Sequence, residues 1–281
     1  MGSKLNIGII GQGFVGNAVK EGLQNDYNIL TYDIKKELSN CESLLDVIKN
    51  CYLIFVCLPT PMQKDGSCHI NILEDTIKSV FDMGLANILI IKSTVPPTTI
   101  SLFEEKYGKI ITFVYNPEFL TEANAIDDFK NQDRIILGCS DSDAFDCVAG
   151  IYRKTFPLIP IIHTSFDEAI MVKYITNAFL ATKVIFANEF YDICNSLDIN
   201  YNNVYSTATL DSRLGSSHWM VPGPDGDRGF GGHCFPKDLG AIRFTAEYNG
   251  VNTDLMDAVI DKNNKIRKDR NWERQKGRAI I

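Results

Sequence analysis

The segment Gly229-Phe230-Gly231-Gly232-His233-Cys234-Phe235-Pro236-Lys237-Asp238 has the residue types of a nucleophile's setting. Its glycines let the backbone come close to a ligand. Pro236 suits the first turn of a helix, which puts Cys234 at or just before a helix N-terminus, where amide dipoles favour a thiolate. Asp238 lies four residues on and shares that helical face, either facing the same ligand or simply complementing the dipole. His233 is adjacent to Cys234, and adjacent side chains point apart, so a Cys-His dyad is not expected. The other seven cysteines, at 41, 51, 57, 68, 139, 147 and 194, form no C-x-x-C and have no histidine at metal spacing. They are read as small buried hydrophobes, with neither a metal site nor a disulfide framework.

A second pair, Lys173 and Asn177, is spaced i, i+4 on a face otherwise made of Ala169, Ile170, Leu180, Ala181 and Val184. A lysine beside an amide there could hold a developing oxyanion or act as a general acid or base; the alternative is a lysine reaching the rim. Two carboxylates, Glu118 and Glu122, follow a strand and would share one face if a helical turn began at Pro117. Glu122 is otherwise a solvated charge at a helix start.

Gly11-Gln12-Gly13-Phe14-Val15-Gly16 comes directly after the first apolar run and opens a helix. Gly11 allows the tight turn, Gly13 admits a pyrophosphate to the backbone, and Gly16 permits close helix packing; the helix N-terminus attracts the phosphates. Asp33 ends the next strand, where a carboxylate accepts from ribose hydroxyls and repels a 2′-phosphate, so NAD is expected rather than NADP. Lys35 and Lys36 are the opposing signal. A glycine turn in a nucleotide-free domain is the other reading.

Short β-branched runs position these groups: Leu5 to Ile10, Asn28 to Tyr32, Tyr52 to Cys57, Ile88 to Ile91, Ile111 to Tyr115, Ile135 to Leu137 and Leu158 to Ile162. Their alternation with helical stretches predicts an α/β domain with a doubly wound parallel sheet and helices on both faces. Ligands bind outside the carboxyl ends of such strands, which draws attention to Pro59-Thr60-Pro61 and Ser93-Thr94-Val95-Pro96. From Ser165 the rhythm changes. Ser165 and Glu168 form a capping box opening roughly 30 residues without Pro or Gly, an apolar helix expected to be buried. The expected boundary lies near Thr164: a Rossmann-type domain over 1–164, then an all-helical domain with a long central helix over 165–281. A Gly/Pro-rich loop spans Gly215 to Gly232, and a polar helix follows.

With 281 residues, 45% hydrophobic and 22% charged, the chain has ordinary globular composition. With a net charge of −7 and no basic stretch, nucleic acid is a poor candidate partner and none is expected. Apolar runs such as Leu53 to Leu58 fall short of the ~18 residues a membrane span needs, and no signal-peptide pattern is present, so no membrane is expected. Met1-Gly2-Ser3 resembles a myristoylation start, but Asn6 stands where Ser or Thr is required. Reduced thiols in a cytoplasmic compartment are expected.

Together these motifs closely resemble the UDP-glucose/GDP-mannose 6-dehydrogenase family. The likeness runs through the glycine loop, Leu58-Pro59-Thr60-Pro61, Lys92-Ser93-Thr94-Val95-Pro96, Asn116 to Glu122, Arg134 to Gly138, Lys173 to Leu180, Asp211-Ser212-Arg213-Leu214-Gly215 and the Cys234 segment. The resemblance implies that Cys234 is the nucleophile, that Lys173 and Asn177 bind the oxyanion, and that Asp238, Thr94 and Glu118 handle protons and water. Phe14, Val15, Pro59, Thr60, Thr94 and Glu122 would join the glycines around the cofactor. Glu118, Phe119, Leu120, Glu122, Lys173, Asn177 and Gly231 would bind substrate, and Arg213 would reach it across a homodimer interface built by the helical domain. The implied reaction takes a nucleotide-sugar alcohol, UDP-glucose first among candidates, to the carboxylate with NAD.

Family members continue into a third, nucleotide-binding domain. Here the chain is expected to stop inside the connecting helix, so the missing half would come from the dimer or a separate chain. Asn271 to Ile281 are charged and unlike the family, and Gly223-Pro224-Asp225-Gly226-Asp227-Arg228 enlarges the loop before the nucleophile. Two other readings stay open: a β-hydroxyacid or 6-phosphogluconate-type dehydrogenase, which shares the Lys-x-x-x-Asn helix but needs no cysteine, and a non-catalytic sugar-nucleotide-binding remnant.

Overall fold

A computed structural model describes residues 4–281; the reading of Met1-Gly2-Ser3 lies outside them. The chain divides into two compact units, one made of the segment up to Thr60 with His69–Lys173, the other of Pro61–Cys68 with Tyr174–Ile281.

In the first unit, seven short strands form one sheet: β1 (Asn6–Ile10), β2 (Asn28–Tyr32), β3 (Leu53–Val56), β4 (Ile88–Ile91), β5 (Thr112–Tyr115), β6 (Ile135–Gly138) and β7 (Ile161–Thr164). Their order is β2-β1-β3-β4-β5-β6-β7. β3 and β4 read LIFV and ILII and are buried throughout, as expected of strands covered on both faces. The order switches sides at β1, so the glycine loop leaves the sheet at the point where α/β folds bind ligands.

Two expectations need correction. The sheet is not wholly parallel: β6 pairs antiparallel with β5 through Tyr115 and Gly138. The last strand begins at Ile161 rather than Leu158, because Pro160 has no amide to give a ladder and serves only as acceptor for Ile135 N.

Helices α1 (Phe14–Leu23), α2 (Leu44–Asn50), α3 (Asn71–Asp82), α4 (Thr99–Tyr107), α5 (Ala125–Lys130) and α6 (Ser142–Thr155) connect the strands. One buried cluster joins Ile7, Ile9, Val19 and Leu23 to Phe55, Ile90, Phe129 and Tyr152.

α7 (Phe166–Ser196) starts at the capping box: Ser165 Oγ accepts from Glu168 N (3.3 Å) and Glu168 Oε2 accepts from Ser165 N (3.0 Å). The Thr164 hydroxyl and Ser165 hold the Glu168 carboxyl down at about 2. The division into units falls inside this helix, after Lys173, because its first turns belong to the sheet unit. Asp167 accepts from Thr98 N, and a Cβ on Gly138 would lie 2.9 Å from Ala169.

The second unit contains the rest of α7 with α8 (Tyr201–Ala208), α9 (Cys234–Tyr248) and α10 (Asp254–Ile266). One cluster packs Ala181 and Ile185 against Phe230, Leu239 and Val259; another packs Ala187 and Cys194 with Tyr201, Trp219 and Val221. The connecting helix expected at the end of the sequence is not continuous. It stops at Ile266, Arg267 turns extended, and Asn271–Arg274 form a 3-10 turn before Ile280 bridges to Met62.

α7 is also not buried on all sides. Met171, Ile175, Phe179, Phe186, Phe190 and Ile193 are exposed, Ile175 and Phe179 by about two thirds (66% and 64%). By length and composition alone, α7 could cross a membrane, although charged and polar residues interrupt its apolar runs. Its inner side carries Lys173, Asn177, Lys183 and Asn188, each hydrogen-bonded to protein groups, which is the pattern of a core helix.

Candidate active site

The glycine loop is built for close approach. Gly11 has φ +89°, a left-handed conformation, and a Cβ there would meet Cys57 O at 2.4 Å. A Cβ on Gly16 would meet Gly11 O at 1.9 Å, so this glycine is required by the helix packing on its own loop. At Gly13, the N-cap of α1, nothing lies within 4 Å: this position has open space above the first amides of the helix. Phe14 and Val15 are half-buried in the first turn. Asp33 Oδ2 accepts from Gln12 N (2.7 Å) and Oδ1 from Lys35 N (2.9 Å), which fixes the carboxylate against the loop. A carboxylate accepts about four hydrogen bonds, so these two leave acceptor capacity for a diol. The residues present therefore fit a dinucleotide.

At the strand ends of the same unit, Thr60 Oγ1 donates to Thr94 O (2.7 Å) and Leu58 N donates to Ser93 Oγ (2.9 Å), tying the segments after β3 and β4 together. Thr60 and Thr94 are buried, and Pro59 is exposed. Glu118, 6% exposed, forms a buried ion pair with Lys173: Nζ donates to Oε1 and to the Glu118 carbonyl, both at 2.6 Å. Glu118 Oε2 accepts from Leu120 N (2.7 Å), and Phe119 lies beneath both the Lys173 ammonium and the Arg134 guanidinium. The expected helical turn from Pro117 is absent. Thr121 is extended and a 3-10 turn starts only at Glu122, which leaves Glu122 exposed and off any common helical face with Glu118.

A buried network that the sequence reading missed supports this strand end. Lys92 Nζ donates to Asn116 Oδ1 (2.9 Å), Tyr152 Oη donates to the same oxygen (2.5 Å), and Asn116 Nδ2 donates to Ile136 O (2.9 Å). Burial pulls the Lys92 ammonium down to about 8, against the opposing pull of Cys57 and Glu118. Burial likewise pushes the Cys57 thiol up to about 12. Lys92 and Asn116 follow β4 and β5 directly, but nothing in a single sequence ties either to Tyr152.

In the second unit, Cys234 is the first residue of α9, with His233 as N-cap and Pro236 inside the first turn, as the spacing predicts. Asp238 is 1% exposed. Its Oδ2 accepts from Asn177 Nδ2 and its Oδ1 from Lys237 Nζ, both at 2.6 Å. Burial pulls the Lys237 ammonium down, but Asp238, with smaller contributions from Cys68 and Cys234, more than offsets this and holds it above its ordinary value. Asp238 is thus a buried acceptor for an amide and an ammonium, beyond a first-turn dipole partner. Lys237 is the other residue overlooked, since adjacency to Asp238 on a helix does not announce an ion pair.

Arg213 lies in a 3-10 turn after α8, its side chain 85% exposed and held by both Asp211 oxygens through Nε (2.9 and 3.0 Å). Gly231 was expected to make room for a ligand; a Cβ there would instead meet Arg267 at 2.4 Å and Asn271 at 2.8 Å. Among the other cysteines, only Cys51, Cys139 and Cys194 are fully buried; Cys41, Cys57 and Cys68 are half-buried and Cys147 is exposed.

Residues 28–156 match the pattern of the UDP-glucose/GDP-mannose dehydrogenase family, NAD binding domain, and residues 167–265 match that family's central domain. The first match begins beyond the glycine loop, whose role rests on its own geometry. The chain is 35% identical over 237 residues to a UDP-glucose 6-dehydrogenase of Haloferax volcanii, covering 78% of this chain and 53% of that protein. It is 32% identical over 255 residues to a UDP-glucose 6-dehydrogenase of Rickettsia conorii, covering 89% and 55%. The chain spans about half the length of these curated relatives. A solved UDP-glucose dehydrogenase from the hyperthermophilic archaeon Pyrobaculum islandicum aligns with TM-score 0.84 at 26% identity, covering 93% of this chain and 68% of that one.

Proposed function

We propose, since the chain belongs to the UDP-glucose/GDP-mannose dehydrogenase family, that it oxidises the C6 alcohol of a nucleotide sugar to the carboxylate, with UDP-glucose the favoured substrate. The observation that carries this reading is Cys234 at the N-terminus of α9, followed in the next turn by the buried Asp238 with its Asn177 and Lys237 partners. The names of the Haloferax and Rickettsia relatives support the sugar nucleotide.

Alcohol to carboxylate is a four-electron change, and NAD, when bound, supplies a two-electron acceptor for each half. Gly11, Gly13 and Gly16, the first amides of α1 and Asp33 would hold it, with 1–164 as the cofactor domain and 165–281 as the catalytic one. A free aldehyde would escape between the halves. Cys234 prevents that: its sulfur adds to the aldehyde carbon as a thiohemiacetal, and water cleaves the thioester reached after the second oxidation, releasing the carboxylate and restoring the thiol. Lys173 and Asn177 hold the negative oxygen at each tetrahedral stage. Glu118, Thr94 and Asp238 move protons and orient water, while Arg213 supplies a cation to the substrate of a second subunit. The thiol requirement suits a reducing, cytoplasmic compartment.

The test is a screen of UDP-glucose, UDP-N-acetylmannosamine and GDP-mannose with NAD. About two NADH per acid are expected from two hydride steps; a ratio near one would refute the reading.

The cofactor assignment makes its own prediction. Gly13→Val should fold normally, since the added atoms enter open space, yet lose about tenfold or more in NAD affinity because the phosphates can no longer approach. Gly16→Val should lower the melting temperature instead, as it strikes Gly11 O. Calorimetric titration and thermal melts separate the two; equal behaviour of the variants would count against the site.

The exposed row Ile175, Phe179, Phe186, Phe190 and Ile193 on α7 supports a second copy as partner. Light scattering should give twice the chain mass, and Phe179→Asp should halve it. A wild-type monomer at micromolar concentration would remove this proposal.

A further inference from the structure

Two segments, the loop Gly223–Arg228 and the stretch after α10, lie about forty residues apart in sequence and bind each other. Arg267, its side chain 2% exposed, donates to Asp225 Oδ2 (2.5 Å), lies 3.5 Å from Asp227 Oδ2 and donates to Arg228 O (3.4 Å). Asp227 Oδ2 also accepts from Lys268 N (3.1 Å) and Asp269 N (2.8 Å). A buried guanidinium with two carboxylates across one loop is a rigid brace, because the planar fork fixes direction as well as distance.

The brace continues toward the nucleophile. Asn263 on α10 pairs with both backbone groups of Phe230, accepting from N (2.8 Å) and donating to O (3.0 Å). Asn188 Oδ1 accepts from Arg228 Nε (3.1 Å). Asn271 Oδ1 accepts from Gly232 N (2.9 Å), one residue before the N-cap of α9 and two before Cys234. Trp272, the next residue of the stretch, is itself 6% exposed. Gly232 has φ +71°, a left-handed conformation that glycine adopts readily, and its N–H is held by the Asn271 contact.

We infer that Asn271 and Arg267 are positioning residues for Cys234: the stretch after α10 clamps the glycine loop and thereby sets where the thiol sits at the start of α9. The inference rests on Cys234 as nucleophile. A clamp of this kind leaves the cofactor domain untouched and acts on kcat, since misplacing a reacting atom by about 1 Å costs up to about a hundredfold.

The experiment compares Asn271→Ala with Asn271→Asp, which keeps an acceptor oxygen, and with Arg267→Lys, which keeps the charge but loses the fork. Three quantities are read: kcat, KM for NAD, and the rate of iodoacetamide alkylation at Cys234 against the exposed Cys147, followed by mass spectrometry. Asn271→Ala should lower kcat about tenfold, the effect of one lost hydrogen bond to a pre-organised loop, with KM for NAD unchanged. Alkylation of Cys234 should slow about threefold or more while that of Cys147 stays constant, as the thiolate loses its place at the helix dipole. Asn271→Asp should stay within about twofold of wild type on both measures, having kept the acceptor. Wild-type kcat and wild-type Cys234 alkylation in Asn271→Ala would overturn the inference, as would a parallel change at Cys147. If Asn271→Ala does not fold, Arg267→Lys decides by the same alkylation ratio. Full turnover in Cys234→Ser would instead defeat the functional reading, and the alkylation ratio would still judge the clamp.

Discussion

Cys234→Ser should reduce acid formation by about a thousandfold or more, the scale on which removing a covalent nucleophile is felt. The substitution exchanges sulfur for oxygen at the first residue of α9 in a half-buried position, so neither packing nor helix start is disturbed. What changes is the chemistry. A helix N-terminus can favour a thiolate whose ordinary pKa is about 8.5, but the same dipole is far too weak to ionise an aliphatic hydroxyl at neutral pH. A serine adduct would also pass through an ester rather than a thioester, a poorer acyl donor to water. The first oxidation needs no sulfur, so aldehyde should become trappable by a hydrazine reagent, with NADH per consumed sugar falling from two toward one. The melting temperature should match that of the unsubstituted protein. Unchanged acid production by a folded Cys234→Ser protein would remove the covalent route.

Local rules carried the sequence reading far. Six of the seven strands begin within one residue of where their β-branched runs begin, and α7 starts at its capping box, because each is encoded in contiguous residues. Cys234 at the start of α9 follows from Pro236 alone. Non-contiguous determinants leave no such trace. That Glu118 turns inward and Glu122 outward depends on a side chain 55 positions away, Lys173, which accommodates one carboxylate in the interior. The Lys92-Asn116-Tyr152 network joins three positions no motif connects. Gly231 shows the same limit from the other side: a glycine read as room for a ligand is room for Arg267 and Asn271.

Tertiary contacts set the end of α10. The resemblance implies a connecting helix that runs on beyond Ile266. The stop is supplied by tertiary structure. Leaving the helix at Arg267 lets its guanidinium meet Asp225 and Asp227, and lets Lys268 and Asp269 donate their amides to Asp227. Asp227 thus accepts from two amides that a continued helix would have paired internally, so leaving the helix strands neither donor and adds the Arg267 ion pairs.

Lys173→Met should have two effects that can be measured apart. The first is on folding. Glu118 and Lys173 are both nearly inaccessible and 2.6 Å apart, and breaking such a pair by removing one member costs about 3–5 kcal/mol, since the remaining carboxylate has lost its counter-charge in a site water does not reach. The second is on rate. Losing one donor to the developing oxyanion typically costs about 10²–10³ in kcat. Adding Glu118→Gln removes the stranded charge, so the double variant should recover much of the melting temperature. It should recover none of the rate, because methionine does not restore the ammonium and glutamine does not restore the carboxylate that moves protons. Were the pair merely structural, stability and rate would return together in the double variant. A cycle of the two single variants and the double, read by thermal melts and by steady-state kinetics, yields both coupling energies, and a rate coupling as large as the stability coupling would remove Lys173 from the oxyanion site.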